Sequence, residues 1–119
     1  MGGTIYTFKW WKRGIYPEKV WITSAFRVQI FKRALEIAGS MNALGRMLGY
    51  RSRTHPGWSV RQMLFGFQPI PMDKLECLAE IVSIPVEEIL QYQVPKEAIT
   101  IEGTNKALRE YGLLCYLLR

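Results

Sequence analysis

The densest run of side chains able to do chemistry lies between Arg51 and Gln62, in RSRTHPGWSVRQ. Arg51, Arg53 and Arg61 carry guanidinium groups that pair with phosphate or guanine, the Gln62 amide donates and accepts at once, as an adenine edge requires, and Ser59 can serve either role. His55, the single histidine, stands near Ser52 and Ser59, but no adjacent carboxylate would orient its imidazole for nucleophilic catalysis. Glu87, Glu88, Glu97 and Glu102 show no spacing suited to paired acid and base work. The chain is therefore not expected to be an enzyme. Cys77 and Cys115 sit in the apolar helical patterns LECLAEIV and YGLLCYLLR, where cysteine acts as a small buried hydrophobe. With one histidine and no Cys-x-x-Cys pair, no zinc site can be assembled, and no cofactor is expected.

A chain of 119 residues with 49% apolar content fits one domain with a real core. Its net charge of +6, from 16 basic and 10 acidic residues, favours nucleic acid or another anionic surface as partner. The opening MGGTIYTFKWW lacks the apolar run of a signal peptide, and no stretch of about 18 apolar residues could span a bilayer. A cytoplasmic protein that avoids membranes is expected.

The elements that must position these residues follow from periodicity and punctuation. Thr4 to Trp11 and Lys19 to Thr23 are rich in aromatic and β-branched residues around Gly14 and Pro17, the pattern of a β-hairpin. Thr23 or Ser24 can cap a helix in which Ile30, Ala34 and Ile37, with Phe31, Leu35 and Ala38, recur at helical spacing while Arg27, Lys32, Arg33 and Glu36 point elsewhere; Gly39 ends it. Ser40 caps a second, short helix with an apolar stripe of Met41, Leu44, Met47 and Leu48, which Gly49 terminates. RSRTHPG cannot be regular, and WSVRQMLFG resumes a helix through Trp58 or Val60, Met63 and Leu64 up to Gly66. Pro69 and Pro71 precede a fourth helix with Leu75, Leu78, Ala79 and Val82 on its core face, and Pro85 opens a fifth. Beyond Pro95, AITIE alternates like a strand, and Thr104 or Asn105 can cap a last helix through KALREYGLLCYLLR. The expected fold is mainly α with a small β element: a hairpin over residues 1–23, five helices over 24–94, and a strand plus helix over 95–119.

Two helices braced across a turn need a very small residue where they approach, a glycine in the turn, and a β-branched plug from the second helix into the core. Gly45, Gly49 and Val60 fill those roles. FKRALEIAG, MNALGRMLGY, SVRQMLFG and the closing IPMDKLECLAEIVSIPVEEIL resemble the lambda-repressor and Cro family of helix-turn-helix proteins over about half the chain. The resemblance implies sequence-specific binding of double-stranded DNA and transcription regulation, with SVRQMLFG as the recognition helix in the major groove. It places Trp58, Ser59 and Gln62 where that helix meets base edges, with Arg61 beside them. Trp58 has a second reading as a core or loop anchor, because a buried indole contributes a large apolar area. Gly49 and Gly66 lie 66 − 49 = 17 positions apart. The family uses about a dozen, so Arg51 to Gly57 looks like an insertion of about five residues. Its Arg51, Arg53 and His55 suit backbone or minor-groove contact, or else form a solvated loop.

The aromatic N-terminus (Tyr6, Phe8, Trp10, Trp11 and Trp21) alternates with Lys9, Lys12 and Lys19. Such a pattern describes either a stacking surface for RNA or single-stranded DNA or a sheet face packed on helices. Leu113, Leu114, Leu117 and Leu118, with Tyr111 and Tyr116, are too apolar to stay exposed, so the terminal helix is expected to pack on the core or on a second copy in a homodimer. GLLCYLLR is also similar to the first helix of LAGLIDADG homing endonucleases, which can carry helix-turn-helix modules. It stops before any Gly-Asp-Gly, so the metal-binding acidic residue of those nucleases is missing.

Overall fold

The computed structural model describes residues 18–113. They form a mainly helical fold with a small antiparallel sheet, in the order β1 (Lys19–Ile22), α1 (Ser24–Ala38), α2 (Met41–Met47), α3 (Trp58–Phe65), β2 (Ile70–Pro71), α4 (Met72–Val82), α5 (Val86–Leu90), β3 (Gln93–Val94), a 3₁₀ turn (Lys96–Ala98) and α6 (Ile101–Glu110). No helix among the described residues is long and apolar enough to cross a membrane.

The helix starts and stops follow local chemistry. The Ser40 hydroxyl accepts from the Ala43 N–H at 3.0 Å, which fixes the start of α2 directly behind Gly39, whose φ of 98° ends α1. Thr23 occupies the cap position of α1 without a side-chain bond, while the Ser24 hydroxyl lies 3.4 Å from that of Thr104 instead. Val28, Phe31, Leu35, Leu44, Val60, Leu64, Leu75, Leu78, Ile89, Leu90 and Leu108 meet in one core. Each sits at the interval its helix requires to keep one stripe inward. Ile37 and Met47 depart from the stripes assigned to them. Both are exposed, each within the last turn of its helix.

β1 is the central strand of the sheet, in the order β2-β1-β3. Val20 pairs with Ile70 and Trp21 with Val94, so the strand expected to lie in a local hairpin ties together segments about fifty and seventy residues away. The first strand of that hairpin, Thr4 to Trp11, lies outside the described residues. Val20 and Ile22 are buried on one face of β1, while Lys19 and Trp21 lie on the other, Lys19 exposed and Trp21 half-buried.

The C-terminal strand expected at AITIE is not formed. The Thr100 hydroxyl accepts from the Gly103 N–H at 3.0 Å and caps α6, which begins at Ile101; this cap lies four residues before Thr104 and five before Asn105, the expected caps. A side-chain cap satisfies backbone donors locally, and Ile99 and Ile101 find no strand edge to pair with. The helix also stops sooner than its apolar run suggests. Gly112 adopts φ 76° and the Leu113 N–H returns to the Leu108 carbonyl at 2.8 Å, a left-handed helix termination. Thr104, Ala107, Leu108 and Leu113 are buried, and α6 packs on α1 within the same chain. Leu114, Cys115, Tyr116, Leu117 and Leu118 lie outside the described residues.

Arg27 is the main correction to the helical pattern. It points into the core and is only 2% exposed. Its Nε donates to the Leu64 carbonyl (3.0 Å), Nη1 to the Ile22 carbonyl (2.9 Å) and Nη2 to the Thr104 hydroxyl (2.7 Å). One guanidinium fork thus joins β1, the end of α3 and α6. Burial pulls its pKa down to about 10, which leaves it a cation at neutral pH.

Candidate nucleic-acid interface

α2 and α3 approach closely although ten residues, 48–57, separate them. A Cβ built on Gly45 would stand 2.0 Å from the Pro56 carbonyl oxygen, and one on Gly57 would stand 2.7 Å from the backbone of Met41. The Asn42 Oδ1 accepts from the Gly57 N–H at 3.0 Å. Two glycines and an asparagine therefore press the end of the long connection, backbone on backbone, into α2. Pro56 and Gly57 are buried, whereas Arg51, Ser52, Arg53, Thr54 and His55 are exposed. Residues 51–55 project outward from a turn whose base is fixed. Within the projection, the Ser52 hydroxyl accepts from the His55 N–H (3.1 Å) and the His55 carbonyl accepts from the Trp58 N–H (3.1 Å), so an ordered turn leads into α3.

The other end of α2 is fastened by α4. The Lys74 Nζ donates to the Leu48 carbonyl at 2.8 Å and lies 4.7 Å from the centroid of the Tyr50 ring, a cation–π contact. Gly49, at φ 95°, lets the chain turn there. Tyr50 in turn hydrogen-bonds Ser59 of α3, and burial raises its phenol above the ordinary pKa, with the Ser59 bond opposing and Asp73 reinforcing the shift.

These constraints fix which side of α3 faces out. Val60, Met63 and Leu64 are buried, with Val60 as the expected plug. Trp58, Arg61 and Gln62, at i, i+3 and i+4, share the opposite side. Trp58 is 54% exposed, so it is neither a core residue nor a loop anchor. The Arg61 guanidinium lies over the Phe65 ring at 4.9 Å. Ser59 is half-buried against Tyr50, so its hydroxyl already has a partner inside the protein. Arg61, Trp58 and His55, with Asn42 and Met41 of α2, line an open depression of about 410 Å³ where the starts of the two helices converge.

Charge is divided between two parts of the fold. From Ser40 to Gln68 the chain carries Arg46, Arg51, Arg53 and Arg61 and no carboxylate; from Pro69 to Tyr92 it carries Asp73, Glu76, Glu80, Glu87 and Glu88 against Lys74 alone. The segment holding α2 and α3 is therefore cationic, while that holding α4 and α5 is mostly acidic. Of the residues the sequence nominates, Trp58, Arg61 and Gln62 come together on α3, and His55 joins Trp58 and Arg61 at the depression. Arg51 and Arg53 stand on the adjoining projection. Arg46, exposed on α2, was not nominated, and the absence of carboxylates over 40–68 is the signal that would have drawn attention to it. No protein-family model, curated protein or solved structure matches the chain.

Proposed function

We propose that the protein binds double-stranded DNA in a sequence-specific manner through α2 and α3, in the manner of the lambda-repressor and Cro helix-turn-helix, and acts in transcription regulation. The observation that carries this reading is the backbone-to-backbone seating of Gly45 on Pro56 and of Gly57 on Met41. It holds α3 rigidly against α2 and presents Trp58, Arg61 and Gln62 together, on a unit that bears arginines and no carboxylate. Rigid display of a few donors and acceptors on one helix face is what reading base edges in the major groove requires. Arg46, Arg51 and Arg53 supply the sequence-independent attraction to phosphate that fixes register.

Selection of bound fragments from a random duplex pool, followed by titration of the recovered duplex at several salt concentrations, tests the proposal. An enriched motif bound at least about a thousand-fold more tightly than random duplex is expected. Two half-sites about one helical turn apart would mark two copies of the chain on the DNA. Binding that is equal for all duplexes, or tighter for single strands of the same sequence, refutes it.

A further inference from the structure

An indole side chain at the start of a helix normally finds apolar cover, because it buries a large area when it does. Trp58 does not. It is 54% exposed although the backbone beneath it is among the most constrained in the fold: Gly57 is seated on Met41, its N–H is held by Asn42, and the Trp58 N–H is held by the His55 carbonyl. The ring is thus displayed from a rigid base. Arg61, one turn along the helix, lines the same depression, and the segment from Ser40 to Gln68 carries four arginines and no carboxylate of its own, Asp73 of α4 acting from beside Tyr50. An apolar protein partner would bury that positive charge without compensation, whereas a nucleic acid supplies both phosphate and apolar surface. In the major groove of duplex DNA the apolar group on a base edge is the C5 methyl of thymine.

Resting on the proposed duplex binding, we infer that Trp58 is a specificity-determining residue that reads a thymine by covering its methyl group. Gln62 lies four residues further along the same face, about 6 Å at the helical rise. The thymine therefore stands close to, and distinct from, the base pair at which Gln62 pairs with adenine.

The test uses the full chain and the duplex recovered by selection, remade with each thymine replaced in turn by uracil, which removes the methyl and leaves the hydrogen-bonding edge unchanged. Covering one methyl corresponds to about a four-fold change in affinity. The parent protein should lose that factor at one thymine, near but not at the position where Gln62→Ala relaxes preference. Trp58→Ala should bind the thymine and uracil duplexes alike, and Trp58→Phe, which keeps an apolar ring, should restore part of the difference. Because the side chain is exposed, both variants retain the fold, which circular dichroism checks. Equal affinity of the parent for thymine and uracil at every position overturns the inference while leaving duplex binding intact. Preference of the parent for single strands, with loss of binding in Trp58→Ala, would make the indole a stacking platform and overturn both readings.

Discussion

Gly45 sets two effects of opposite sign against each other, and their magnitudes decide the outcome. It lies inside α2 with no positive φ, so replacement by alanine should favour the helix by about 1 kcal/mol. The new Cβ, however, would stand 2.0 Å from the carbonyl oxygen and 2.4 Å from the carbonyl carbon of Pro56, both backbone atoms. Ordinary contact demands a retreat of more than about 1 Å, and a backbone segment cannot rotate out of the way as a side chain can. Forcing extra volume into a packed site costs roughly 1–3 kcal/mol, occasionally more. Lifting Pro56 and Gly57 also breaks the Asn42–Gly57 hydrogen bond, about 1 kcal/mol. Gly45→Ala is therefore expected to be net destabilising by about 1–3 kcal/mol, which lowers Tm by roughly 10 °C in a domain of this size. Urea denaturation followed by circular dichroism measures it. Gly57→Ala, whose Cβ would meet the Met41 backbone at 2.7 Å, should act in the same sense. The double variant should lose less than the sum, because a connection already lifted off α2 relieves both clashes. A Gly45→Ala protein as stable as the parent, or more so, refutes the claim that this contact braces α3.

Arg27→Met should destabilise the fold by about 2–4 kcal/mol, read from urea midpoints, because it leaves the carbonyls of Leu64 and Ile22 and the Thr104 hydroxyl without their donor. Arg27→Lys should rescue little, since one ammonium cannot span three acceptors set for a planar fork. Burial holds the folded Arg27 pKa at about 10, below that of the unfolded chain, which therefore keeps the proton more tightly; the stability gap between parent and Arg27→Met should be flat near neutrality and widen as pH rises through about 10. Gln62→Ala should relax preference at one base pair by about 1–3 kcal/mol while affinity for random duplex stays within two-fold, and an unchanged preference profile would remove α3 as the reader. Arg51→Ala or Arg53→Ala should weaken all duplexes alike and reduce the slope of log affinity against log salt by about 0.9 for each phosphate no longer neutralised; slopes equal to the parent's would make the projection a solvated loop.

Much of this fold was legible in the linear chain because its determinants are local. Ser40, Gly39, Gly49 and Gly66 fix helix ends through bonds and φ angles that involve only near neighbours, and the apolar spacing of α1, α3 and α4 states which side faces in. The outward placement of Arg61 and Gln62 follows from Val60 and Leu64 plugging the core by the same geometry. Where two local signals competed, only the structure chose between them: AITIE has the alternation of a strand, but the cap at Thr100 and the 3₁₀ turn after Pro95 were formed instead. The remaining features depend on residues far apart in sequence. Nothing near Arg27 marks it as buried, because its acceptors lie on β1, α3 and α6, up to 77 positions away. The partners of β1, Ile70–Pro71 and Gln93–Val94, are two-residue strands between helices, too short to carry an alternating pattern of their own. That the long connection still braces α3 depends on the Pro56 carbonyl reaching the bare Cα of Gly45. Periodicity and capping report the backbone's exchange with its immediate neighbours; burial of a cation, strand pairing across the chain and contact between two backbones exist only once the whole chain is packed, and those are what hold Trp58, Arg61 and Gln62 on one face.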